Sequence, residues 1–125
     1  FLVWLRQQGI RTGIASSNGI ELVETVLKAQ GIQEYLESVH TCCEVPKGKP
    51  APDIYLLVAE TLGVKPEECL VFEDVPMGIL AGKNAGMRVC AVEDTFSASQ
   101  REEKKELADY YIESYDEIPR ERMQP

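Results

Sequence analysis

No uninterrupted apolar run in the sequence approaches the roughly 20 residues that a membrane-spanning helix needs. Metal-binding punctuation is equally scarce. Four cysteines, Cys42, Cys43, Cys69 and Cys90, stand singly or as one adjacent pair without CxxC spacing, and His40 is the single histidine. That pattern argues against a zinc site or a disulfide framework and suits reduced thiols in the cytoplasm. Cys69 and Cys90 fall inside apolar runs, where a small buried thiol is the ordinary reading. Basic residues are in the minority, 13 against 21 acidic, for a net charge of −8. Most of that excess lies in residues 93–125, which read as a solvated acidic face and argue against a nucleic-acid partner. The opening FLVWLRQQG has neither an initiator methionine nor a signal-peptide pattern. It resembles the middle of an amphipathic helix, so a fragment is expected.

What is present is ordinary globular material, 44% hydrophobic and 27% charged, with enough chain for one core. Two periods alternate along it. RTGIAS (11–16), CLVFED (69–74) and MRVCAV (87–92) are short apolar runs that read as strands, and SVHTCC (38–43) and DYYIES (109–114) are weaker versions. Helical patterns lie between them. In NGIELVETVLKAQG, Ile20, Val23, Val26 and Leu27 are assigned to one face, and Gly31 closes the helix. APDIYLLVAETLG opens near Pro52, carries Ile54, Leu57, Val58 and Leu62, and stops at Gly63. PMGILAGKNAG runs from Pro76 to Gly86. Proline just inside the start and glycine just past the end is the expected helix punctuation.

Strand and helix in alternation predict an α/β fold, a parallel sheet with helices on both faces. Right-handed crossovers bring every strand's C-terminal end to one edge, where open α/β sheets bind ligands. Three polar clusters should therefore meet there. Ser16, Ser17 and Asn18 follow the strand at 11–16; they suit a phosphate cradle at a helix N-terminus or, equally, a plain helix cap. Lys49, with Lys47, lies in the Gly/Pro-rich KGKPAPD, a loop able to fix an ammonium over an anion or simply to solvate it. Glu73 and Asp74 end the strand at 69–74. Side chains alternate along a strand, so both reach one ion only where the backbone turns, as it does here. Such a pair suits Mg²⁺, whose hard-oxygen shell takes one or two carboxylates plus phosphate; a helix cap by Asp74 is the alternative. Taken together, a hydroxyl, an ammonium and paired carboxylates suit a phosphate monoester with a divalent cation.

These three stretches resemble motifs of the haloacid dehalogenase superfamily, in its beta-phosphoglucomutase-like phosphatase and mutase branch. GIASSN resembles the second motif, GKPAPDIY the third, and CLVFEDVPMGILAGKNAGM the fourth. The likeness covers nearly the whole chain. It implies a three-layer Rossmann-like core and a small phosphorylated metabolite as substrate. It implies that Ser16 hydrogen-bonds the transferring phosphoryl group and that Lys49 neutralises its charge and that of an aspartyl nucleophile. Glu73 and Asp74 would hold Mg²⁺ directly or through water, with Ser17 and Asn18 as secondary phosphate contacts.

One motif of that family is missing. Its first motif, DxDGT or a close relative, carries the nucleophile on the central strand, and no DxD occurs in this sequence. The resemblance therefore implies a partial core (1–125) without the first, central strand, the nucleophile or the cap domain. Such a chain is expected not to turn over phosphate esters by itself, because an aspartyl-phosphate route has no acceptor. The strands at 11–16 and 69–74 would flank the gap, and their open edges must be satisfied. They could pair with each other, accept a strand by exchange with another molecule, or bind a missing N-terminal segment. A sugar-phosphate mutase and a non-catalytic α/β binding or scaffold module are the alternatives to a phosphatase.

Overall fold

The computed structural model describes residues 1–41, 44–94 and 99–118. Five strands and five helices alternate: α1 (Leu2–Gln7), β1 (Gly13–Ser16), α2 (Ile20–Gln30), β2 (Ser38–Thr41), α3 (Asp53–Leu62), β3 (Leu70–Glu73), α4 (Pro76–Asn84), β4 (Arg88–Val92), α5 (Arg101–Leu107) and β5 (Tyr110–Ile112). Every strand pairing is parallel. Each predicted strand has its counterpart, one to three residues shorter; Cys42 and Cys43, at the end of the second run, lie outside the described residues.

The strands form two sheets, β1–β2 and β3–β4–β5. Of the expectations for the flanking strands, mutual pairing is thus not what the chain adopts: β1 and β3 each remain an edge. Helices α3 and α4 pack together, α3 on β1 and β2 and α4 on β3 and β4. On the opposite face of β3, Phe72 meets Phe1 edge-on at 5.7 Å and Tyr115 at 5.4 Å.

The core gathers Ile54, Tyr55 and Ala59 of α3, Val71 of β3, Ile79 and Ala81 of α4, and Val89 and Ala91 of β4. Small residues on α4 make this close approach feasible. A Cβ on Gly82 would stand 2.6 Å from Val89 Cγ2, so only glycine lets the helix lie so near β4. Helices α2 and α3 both end on a left-handed glycine, Gly31 (φ 66°) and Gly63 (φ 71°), as their sequences predict.

Three details differ from the sequence reading. Ile20 and Val26 of α2 are exposed, and Val23 and Leu27 alone of that set are buried, because α2 meets the protein along a stripe narrower than its apolar content. Leu57 and Val58 of α3 are only half-buried, while Tyr55 and Ala59 face the core. Finally, REEKKEL, within the supposedly solvated acidic third, forms α5 and buries Lys104 completely. Lys104 Nζ donates to the Val92 carbonyl at 2.7 Å, so this charged helix is pinned to the end of β4.

Candidate active site

All the sequence-predicted site residues lie at or beside the C-terminal ends of β1 and β3. Ser16 ends β1, and its Oγ accepts a hydrogen bond from the Asn18 N–H at 3.0 Å. Ser17 and Asn18 follow, exposed, ahead of α2. The N-cap of α2 is Gly19, with no side-chain capping bond, so the Ser16 hydroxyl shapes the turn rather than capping the helix. The same holds at β3: α4 is capped at Val75 without a side-chain bond, and Asp74 does not serve as its cap.

Lys49 joins the two sheets. Its Nζ donates to the Ala15 carbonyl of β1 at 3.3 Å and to Glu73 Oε2 of β3 at 2.8 Å. The Lys49 and Glu73 side chains are only 12% and 10% exposed, so this ion pair is largely withdrawn from water. The loop that presents Lys49 is anchored where Asn84 Nδ2, at the end of α4, donates to the Pro50 carbonyl at 3.0 Å. The Lys49–Pro50 peptide is cis. Lys47 stays exposed in the same loop.

Glu73 is held from several sides. The Tyr55 hydroxyl donates to Oε2 at 2.5 Å, the oxygen that also accepts from Lys49, and Oε1 accepts from the Asp74 N–H at 3.2 Å. Burial is the largest single influence on this carboxyl and pushes its pKa up; the Lys49 charge, with hydrogen bonds from Lys49, Tyr55 and Asp74, outweighs it and leaves the pKa below the usual value. The same burial, with Glu73 beside it, raises the Tyr55 phenol far above its ordinary range. The carboxylate lies directly over α4: a Cβ on Gly78 would fall 2.0 Å from Glu73 Cδ. The glycine of FEDxxxG is therefore the space that the glutamate occupies.

Asp74 behaves in the opposite sense. Burial first, then the hydrogen bond and charge of Glu73, raise its carboxyl above the ordinary aspartate value, and Asp94 adds to the effect. A cavity of about 270 Å³ opens here, walled by Asp74, Glu73, Glu93 and Asp94 with the aromatic rings of Phe72 and Tyr115. Glu93 is neutralised by Arg101, whose Nε and Nη2 donate to it at 2.8 and 3.0 Å. Among the described residues no group of three or more His, Cys, Asp or Glu side chains is disposed to hold a metal ion alone. The chain offers hard oxygen donors in a pair, and one of them stands in surroundings that disfavour its charge. Those donors fit Mg²⁺, which commonly takes one or two carboxylates and completes its shell with water and phosphate.

Sequence reasoning missed Tyr55, Asn84 and the role of Gly78. Tyr55 stands in an apolar helical stretch where a tyrosine passes for core. The spacing of FEDxxxG was visible, but the reason for its glycine lies in the packing of Glu73.

The chain belongs to the haloacid dehalogenase-like hydrolases, whose family pattern matches residues 1–86. It is 41% identical over 88 residues to hexitol phosphatase A of Escherichia coli, covering 70% of this chain and 40% of that protein. Its fold matches CbbY of Rhodobacter sphaeroides in complex with xylulose-(1,5)bisphosphate (TM-score 0.85, 29% identity, 94% of this chain and 52% of that one). It also matches the beta-phosphoglucomutase of Clostridium difficile (TM-score 0.81, 25% identity, 98% of this chain and 51% of that one). These likenesses place it in the phosphoglucomutase-like branch. The chain spans about half the length of these relatives or less.

Proposed function

We propose that this chain supplies the phosphate-holding and metal-holding edge of a Mg²⁺-dependent phosphatase acting on small phosphate monoesters, sugar phosphates among them. The observation that carries this reading is the Lys49 bridge, which fixes one ammonium between the ends of β1 and β3, beside Ser16 and Asp74. Relatives named for hexitol phosphatase activity and for bound xylulose-(1,5)bisphosphate support the substrate class.

In this reading the Ser16 hydroxyl donates a hydrogen bond to a phosphoryl oxygen while its oxygen goes on accepting from the Asn18 N–H. The exposed Ser17 and Asn18 add secondary contacts, and Lys49 offsets the charge of the phosphoryl group. Asp74, with Glu73 beside it, would hold Mg²⁺ directly or through water. Bound Mg²⁺ supplies electrophilic stabilisation of phosphoryl oxygens. The nucleophile is an aspartate outside this chain, and the open edges of β1 and β3 accept the strand that carries it, from a preceding segment or from another molecule. Free Cys69 and Cys90 suit a reducing, cytoplasmic setting. A second reading, a non-catalytic α/β binding module, is favoured by one observation, the lack of any DxD in the sequence. A sugar-phosphate mutase has the beta-phosphoglucomutase likeness behind it.

Amide NMR titration of the chain with Mg²⁺ and inorganic phosphate tests the site. Resonances of Ser16–Asn18 and of Asp74 should shift, Asp74→Asn should abolish the Mg²⁺ response, and Lys49→Ala should weaken phosphate binding about tenfold, the value of one charged hydrogen bond. Perturbations confined to other surfaces would remove the reading.

A further inference from the structure

Among the groups that the proposed chemistry leaves unused, Tyr55 stands out. It is 7% exposed, within the apolar core on α3, where phenylalanine would fill the same space. A buried phenol needs a hydrogen-bond partner, and this one takes Glu73 Oε2, the oxygen on which Lys49 also depends. Its ring lies 5.0 Å from the Lys49 ammonium, within cation–π reach. One side chain thus touches both members of the buried pair.

We propose that Tyr55 is a positioning residue that keeps Lys49 available to a phosphate oxygen; the inference rests on the phosphate-site reading above. A lysine ammonium has three N–H donors. Among the described residues two are used, on Ala15 O and Glu73 Oε2, and the third serves the ligand. An ammonium facing a lone carboxylate in a water-poor site would be drawn fully onto it and its charge cancelled. The Tyr55 hydroxyl donates a second, charge-assisted hydrogen bond to the same oxygen. It shares the carboxylate's negative charge and stops Glu73 from rotating after the lysine. The ring adds its cation–π contact with the ammonium. With the hydroxyl gone, Glu73 Oε2 loses its competing donor, its existing 2.8 Å bond to Lys49 strengthens, and the ammonium offers less charge to phosphate.

Tyr55→Phe isolates the hydroxyl, because the ring, its packing and the cation–π contact all remain. The experiment compares wild type, Tyr55→Phe and Lys49→Ala by inorganic phosphate titration, by the Lys49 ¹⁵Nζ and ¹³Cε resonances, and by thermal unfolding. Tyr55→Phe should weaken phosphate binding about 3- to 10-fold, the range of one hydrogen bond, and shift the Lys49 resonances while the fold is retained. A purely structural tyrosine would change the unfolding midpoint and nothing else. Wild-type phosphate affinity in Tyr55→Phe, with Lys49→Ala weakened, overturns the proposal whatever the resonances do. If Lys49→Ala binds as wild type does, or wild type binds no phosphate, the site reading itself fails. The resonances then decide on the tyrosine: unmoved, they overturn its hold on Lys49; moved, they sustain it.

Discussion

The two sheets bury their residues very differently. In β3–β4–β5 the inward positions are apolar and closed to water, with Val89 and Ala91 fully buried and Val71 at 7%. In β1–β2 no residue of β1 is fully buried, and the buried positions of β2 are the polar Ser38 and Thr41. Among the described residues Ser38 Oγ finds no hydrogen-bond partner. The core itself takes residues from α3, β3, α4 and β4 and none from β1 or β2 beyond the partly buried Ala15 at its margin. The difference teaches that hydrophobic burial builds the β3–β5 half. The β1–β2 half is held on by α3 and by polar links, the Lys49 bridge among them. A site lying between two halves of unequal stability is coupled to the weaker one.

The largest way to break the comparison is to attack the stronger half. Ile79, fully buried on α4, should cost about 3–4 kcal/mol as Ile79→Ala by lost transfer energy and a cavity. Urea unfolding followed by far-UV dichroism should show both halves melting together. Separate melting, with β1–β2 surviving, would reverse the assignment of the dominant core.

Lys49→Ala addresses the link between the halves. It strands Glu73 in a nearly dry position and should cost about 2–3 kcal/mol, below the value for a fully buried pair because both side chains keep a little exposure. Hydrogen exchange is the sharper readout: amides of β1–β2 should lose protection well before those of β3–β4. Equal loss across both sheets would show that the bridge does not join them.

The smallest effect is acid sensitivity. Asp109 is held below the ordinary aspartate pKa, first by its hydrogen bond from Lys83 at 2.7 Å and then by the Val89 N–H at 2.8 Å. A carboxyl with a depressed folded pKa contributes stability above its unfolded value, about 3.9, and that contribution is lost as pH falls through the folded value. Asp74, raised instead, opposes folding above the same point and is relieved by acid. Asp109→Asn should therefore flatten the loss of stability below about pH 4, and Asp74→Asn should remove a gain in stability that the wild type makes just above that pH as acid is added; acid unfolding curves with these two changes interchanged would contradict the two environments.

Much of the fold could be read in the sequence because its signals are local. Apolar runs marked β1, β3 and β4, and the prolines and glycines around α3 and α4 marked where each helix starts and stops. Helix α5 was not legible, since REEKKEL carries almost no apolar periodicity and is held by the buried Lys104, the Arg101–Glu93 pair and Leu107 against the core. At the site, Ser16, Lys49, Glu73 and Asp74 were legible as residue types at strand ends. Their division of labour was not. Adjacent carboxylates look interchangeable in a sequence, yet Glu73 turns onto α4 over Gly78 toward Lys49 and Tyr55 and has its pKa lowered, while that of Asp74 is raised.

The sequence alone thus carried the order of the strands and of every helix but α5, the edge at which polar residues collect, and the family likeness, because each depends on short-range periodicity and punctuation. Only the tertiary structure decided that the strands split into two sheets. It alone paired Lys49 with a glutamate 24 positions away, drew Tyr55 into that pair and raised Asp74 while lowering Glu73. Those outcomes depend on burial and on which charges end up within a few ångströms of each other, and chain spacing does not encode such distances.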